Sequence, residues 1–317
     1  MISPKSKLYE AHPDWCLHVN GRERSLGRNQ CVLDMSRKDV RDNIFEQMSA
    51  VLSSANIEYV KWDFNRNLTE VGSDLLSPIH QKETAHRYML GVYELLERLL
   101  TAFPNLLLEG CSGGGGRFDA GMLYYSPQIW TSDDTDAIER LEIQYGTSMV
   151  YPLSSMSAHV SASPNHQTGR ASSFKTRGDV AMAGAFGYEL DLTKLDDEER
   201  ALVRKQVENY HKYYEVIQNG DYYRLINPTE SKGTMDSAAA WESVSQDKNQ
   251  VLFTYVVNRT SIGISRYVRL RGLDPEKIYT DTASGRKYSG ALLMNAGLNV
   301  TGGWKDGDSR VWYFVAE

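Results

Sequence analysis

Cysteine is scarce in this chain: Cys16, Cys31 and Cys111 are the only three among 317 residues. An odd, scattered set argues against a disulfide framework and for a reducing compartment, the cytoplasm. No CxxC or HExxH spacing occurs, so the sequence offers no protein-built metal site, and no cofactor is expected. No apolar stretch approaches the roughly 20 residues of a membrane span. The first residues, Met1-Ile2-Ser3-Pro4-Lys5, lack the apolar core of a signal peptide. Long basic runs are missing and the net charge is −6, which argues against nucleic acid as a partner. A glycine-rich dinucleotide fingerprint behind a strand is also missing, which weakens any doubly wound nucleotide-binding sheet.

What is present is ordinary for a globular protein: 41% hydrophobic and 24% charged residues. After an irregular start, Ser36 and Asp39 read as a capping box for a helix running to about Ala55, with Val40, Ile44, Met48, Val51 and Leu52 on its inner face. Ile57-Glu58-Tyr59-Val60 reads as a short buried strand. A second amphipathic helix is expected from about Gln81 to Ala102, ended by Pro104. Strand and helix then alternate. Leu106–Glu109, Gln128–Trp130, Ser157–Val160 and Ala185–Leu190 are the strands, and a charged helix from about Asp196 to Gln218 closes the series. Repeated strand–helix units predict a parallel β/α barrel over residues 1–220. Beyond Asn219-Gly220-Asp221 the spacing changes. Val251–Val257, Arg266–Leu270, Lys277–Thr280 and Val311–Val315 predict a small antiparallel β-domain over residues 221–317.

Three groups carry chemistry. Asp63, behind the first strand and between Lys61 and Arg66, reads as a buried carboxylate kept ionised by two cations at a strand end, where barrel enzymes keep catalytic groups. An ion pair capping the strand would also place it there. The loop Gly110–Arg117 has glycines that allow a ligand close to the backbone, though no Lys-Ser/Thr follows to make a phosphate cradle. Ser132-Asp133-Asp134-Thr135-Asp136 crowds carboxylates that raise one another's pKa, with Asp136 also suited to a helix N-terminus and Trp130 offering an apolar wall. His159 and His166 read as structural loop residues, and Asp196-Asp197-Glu198-Glu199 as the solvated first turn of a helix. One ionised and one protonated carboxylate about 5–5.5 Å apart would be the equipment of a retaining glycosidase.

Lys61–Arg66, Cys111–Asp119 and Trp130–Ala137 closely resemble the α-galactosidases of glycoside hydrolase family 36, as do Ser25–Gln30 and Tyr151–Met156. The resemblance implies Asp63 as nucleophile and Asp133 as general acid/base. It implies Arg28, Lys61, Cys111 and Gly114 as contacts to galactose, with Trp62, Asn65 and Trp130 beside them. It further implies hydrolysis of α-1,6-galactosides such as melibiose and raffinose, and assembly into tetramers. By the same resemblance the chain keeps about strands four to eight of a (β/α)8 TIM-type barrel plus the C-terminal β-domain. The N-terminal β-sandwich, the early strands, and the acidic pair and tryptophan they bring to the galactose subsite have no counterpart. Two other outcomes therefore accompany the enzyme reading: an inactive fragment or split subunit needing a partner chain, and a transglycosylating relative akin to raffinose synthase.

Overall fold

The computed structural model describes residues 1–230, 237–260 and 266–317. It divides into two compact units, Met1–Ile129 and Trp130–Glu317.

The first unit begins with the short helix α1 (Lys7–Ala11), followed by α2 (Lys38–Ser54), strand β1 (Tyr59–Asp63), α3 (Thr84–Ala102), β2 (Leu107–Cys111), α4 (Ala120–Tyr125) and β3 (Gln128–Trp130). β1 and β2 are parallel, with Lys61 opposite Glu109 and Asp63 opposite Cys111. β2 and β3 are parallel as well. Val40, Leu52, Tyr88, Leu95, Leu96, Leu99 and Leu108 form the core between helices and strands. Gly91 lets α3 approach so closely that an added Cβ would overlap the Met35 carbonyl.

Several expectations need correction here. The capping box at Ser36 and Asp39 does not form: α2 starts behind Arg37 without a side-chain cap. Ser36 turns instead to the buried Asp34, giving it both its N–H and its hydroxyl (3.0 and 2.6 Å). A carboxylate removed from water needs those donors more than an exposed helix end does. Val51 is 59% exposed, because the inner stripe steps by four from Val40 to Leu52 and leaves Val51 a turn-fraction outside it. The expected buried strand at Ile57–Val60 lies further along, at Tyr59–Asp63, and alternates exposed and half-buried residues. It ends the strand order, so one side of it is an edge.

The second unit opens with α5 (Glu139–Ser148), β4 (Met156–Ser161), α6 (Phe174–Ala181), β5 (Ala185–Glu189) and α7 (Asp197–Asn219). β4 and β5 are parallel, from Ser157 opposite Ala185 to Ser161 opposite Glu189. The strands that follow are β6 (Asp221–Ile226), β7 (Ser237–Val244), β8 (Gln250–Arg259), β9 (Tyr267–Val268), β10 (Ile278–Asp281) and β11 (Lys287–Ser289). Helix α8 (Gly290–Asn295), β12 (Leu298–Asn299) and β13 (Ser309–Ala316) complete the chain. They build an antiparallel sheet ordered β11-β10-β13-β8-β7-β6 and a β12-β9 pair. Phe253, Tyr279, Leu293 and Phe314 are fully buried within it. α6 grips this sheet: Thr176 donates its hydroxyl to the Gly307 carbonyl (2.7 Å), and Ser309 donates to Asp179 (2.7 Å).

Candidate active site

Alternation along β1 sends Lys61 and Asp63 to one side and Trp62 to the other. Trp62 packs into the helix-side core, lining an apolar cavity of about 100 Å³ with Tyr88, Leu95 and Leu96. Trp62 thus points away from Asp63, while Cys111 and Arg117 line the same cavity. Asp63 itself is exposed, not buried. Arg66 does not serve it, because its guanidinium donates to the Ser25 carbonyl (2.6 Å). The side-chain amide of Asn65 donates to Asp63 instead, and Cys111, its register partner at the end of β2, brings a thiol beside it. Burial pushes that thiol up to about 12, with the carboxylate beside it adding to the effect and the Gly114 N–H opposing it. Lys61 lies 3.5 Å from the buried Glu109, which also receives the Tyr59 hydroxyl.

The glycine loop is a tight structure. Gly113 and Gly114 have φ of +56° and +79°, which side-chain-bearing residues rarely adopt. Ser112 N–H donates to the Gly114 carbonyl (2.8 Å), and Gly113 N–H donates to Asn65 Oδ1 (2.7 Å). Asn65 thus joins the loop to Asp63. Arg28 sits at a two-residue turn in which Gly27 and Gln30 exchange backbone hydrogen bonds. Both Arg28 and Asn29 have positive φ (52° and 58°), so an arginine is held where the backbone disfavours one. Gly27 leaves room for the Arg66 side chain, which ties this turn to the β1 segment.

In the second unit, Trp130 is 2% exposed. Its ring stacks on His159 (centroids 4.5 Å apart) and lies beneath the Arg140 guanidinium at 4.0 Å. The expected open wall is thus occupied by protein groups. Asp133 is exposed, and Asp134 half-buried. Asp136 is buried and takes Arg170 Nη1 (2.8 Å), the Ile138 N–H (2.8 Å) and the Thr168 hydroxyl. Burial pushes its pKa up, but those donors outweigh burial and hold it below the usual carboxylate range. His159 pairs with Glu189 at 3.0 Å. No group of His, Cys, Asp and Glu that could hold a metal ion exists among the described residues, and no helix there is long and apolar enough to cross a membrane.

Three structural groups carry no mark in the sequence: Glu109 under Lys61, Arg117 behind the glycine loop and Arg140 behind Asp133. The partners of both arginines are chiefly backbone carbonyls, which any residue supplies.

Asp63, taking the Asn65 amide, thus stands at a strand end beside a lysine and a glycine loop, on parallel strand–helix units. Comparison with known proteins places the chain in a family. Residues 1–220 match the family described as Melibiase, and residues 238–314 match the glycosyl hydrolase family 36 C-terminal domain. The chain belongs to this family. The α-galactosidase AgaA of Geobacillus stearothermophilus is 54% identical over 100% of the chain and 43% of its own length. The α-galactosidase Mel36A of Lactobacillus acidophilus is 49% identical over 100% of the chain and 42% of its own length. The crystal structure of AgaA superposes with a TM-score of 0.95 over 99% of this chain and 43% of that one. The fold is accordingly a partial (β/α)8 barrel with an antiparallel C-terminal β-domain, and the chain spans less than half the length of these relatives.

Proposed function

We propose that this chain carries the catalytic carboxylates of a retaining α-galactosidase acting on terminal α-1,6-linked galactose, as in melibiose and raffinose. The observation that carries the reading is Asp63: an exposed carboxylate at a parallel strand end, oriented by the Asn65 amide, with Cys111 opposite it on β2. Two AgaA structures hold raffinose and stachyose, one with an aspartate replaced by asparagine and the other with an aspartate replaced by alanine. Those two aspartates stand as far apart in that chain as Asp63 and Asp133 do here (133 − 63 = 70).

In this reading Asp63 attacks the anomeric carbon while Asp133 protonates the leaving oxygen. Asp133 then deprotonates the water that releases galactose with its configuration kept. Lys61, Arg28 and the backbone of Gly114 bind sugar hydroxyls. Asn65 and Cys111 hold the nucleophile, and Trp130 supports the Asp133 loop from within. NMR of the sugar first released tests the mechanism: α-galactose supports double displacement, and β-galactose refutes it.

A second reading is favoured by the share of relatives covered, 43% of AgaA, together with the edge position of β1. Here a further segment supplies the remaining barrel strands before the site turns over. Adding that segment of AgaA to the chain and seeing activity appear only in the mixture would select it.

A further inference from the structure

Two arginines hold backbone in the same manner, one in each unit. Arg117 donates to the carbonyls of Phe64 (3.1 Å) and Arg66 (3.4 Å), the residues on either side of Asn65. It also donates to the Ser112 hydroxyl, which itself donates to the Phe64 carbonyl (2.7 Å), and its guanidinium lies 4.0 Å over the Phe64 ring. Arg140 donates to the carbonyls of Ser132 (2.6 Å) and Asp134 (2.7 Å), the residues on either side of Asp133. It also donates to the Thr131 hydroxyl and covers Trp130.

A guanidinium offers its donors in a rigid plane, so two carbonyls held by one group cannot turn independently. The residue between them is flanked by two pinned carbonyls. For Arg140 that residue is Asp133. For Arg117 it is Asn65, whose amide oxygen takes the Gly113 N–H (2.7 Å) and whose amide nitrogen donates to Asp63. Lysine cannot substitute, because its ammonium is a single point on a flexible stem. Arg140 is 3% exposed, and taking its charge out of water is costly. The loop carbonyls are what compensate that cost, so loop and arginine hold each other.

We propose that Arg117 and Arg140 are positioning residues, each clamping the turn that presents one of the two candidate catalytic carboxylates. The inference rests on reading Asp63 and Asp133 as those carboxylates.

Arg117→Lys and Arg140→Lys keep charge and stem and remove the planar fork. Amide hydrogen exchange followed by mass spectrometry gives a readout that needs no turnover. Arg117→Lys should speed exchange over residues 112–117, and Arg140→Lys over residues 131–137, each about tenfold, with α3 and α7 unchanged. Cys111 adds a second readout, since Cys16 and Cys31 are buried and Cys111 only half so. Its alkylation should rise about fivefold or more in Arg117→Lys and stay constant in Arg140→Lys. On an aryl α-galactoside, kcat should fall about tenfold or more with KM within about threefold. Ser112→Ala and Thr131→Val remove one acceptor each, leave the guanidinium in place, and should give smaller changes in the same segments. Exchange and alkylation within twofold of the parent would overturn the proposal. So would faster exchange spread evenly over the chain, which marks a stabilising role alone. Should the parent chain release no sugar, the reading of a site that works within this chain alone fails by itself, and the exchange pattern still decides the clamps.

Discussion

Asp63 receives a neutral donor, the Asn65 amide, and faces Cys111 on β2, at a position open to solvent. A carboxylate meant only to cap a strand needs no such aim, whereas a nucleophile does. Asp63→Asn should lower turnover of an aryl α-galactoside by about a thousandfold or more while leaving the melting temperature within about two degrees. A second residue, Glu242 on β7, makes a prediction about stability. It is fully buried, takes the Arg271 N–H, and its other oxygen has no partner among the described residues. Burial pushes its pKa up from about 4.5 to about 8. The folded chain thus holds this proton more tightly than the unfolded chain. The stability it contributes is whole below about pH 4.5 and is lost as pH rises through about 8. Glu242→Gln has no proton to lose, so its melting temperature should gain on the parent steadily between pH 5 and pH 9. Parallel curves for the two proteins would show that Glu242 does not titrate in this way. Residues such as Asp63, Lys61 and Cys111 were legible in the sequence because unusual side chains crowd there. Arg117, Arg140 and Glu109 were not, because what they grip is backbone, or a partner 48 or more positions away such as Tyr59 and Lys61.

At the scale of elements, the glycine loop tolerates little change. A Cβ on Gly116 would sit 2.6 Å from the Ser112 carbonyl oxygen, so the loop must shift to accept one. Gly116→Ala should cost at least about tenfold in turnover and, the loop being half-exposed, about 1 kcal/mol or less in stability, measured by activity beside denaturant unfolding. Helix α7 offers the opposite case. Asp196 caps it by accepting the Glu199 N–H at 2.8 Å, far along the chain from any candidate site residue. Asp196→Ala should destabilise by about 1 kcal/mol and leave kcat unchanged, which unfolding curves and initial rates would check. Its charged first turn was plain from the sequence. α6, β6 and β7 were not. β7 runs through Ala238-Ala239-Ala240, residues with no preference for strands, and is a strand because both faces are buried between β6 and β8. α6 carries a glycine and buries Arg177 and Asp179 with its apolar residues, so it has no amphipathic stripe to read. Its role is to bind β13 through Thr176 and Asp179, contacts made 130 and more positions apart.

Over the whole molecule, the alternating strand–helix pattern and the later change to closely spaced strands foretold a parallel β/α barrel followed by an antiparallel domain, the family resemblance made that barrel a partial one, and the TM-score of 0.95 to AgaA bears that fold out. The two units each hold one candidate carboxylate, Asp63 in Met1–Ile129 and Asp133 in Trp130–Glu317. The most direct test of the central claim is release of nitrophenol from an aryl α-galactoside by the purified 317-residue chain, with Asp63→Asn measured beside it. The account predicts turnover by the parent that vanishes in the variant. Turnover that survives in the variant would contradict Asp63 as nucleophile, and no turnover from a folded parent would contradict a site that works within this chain alone.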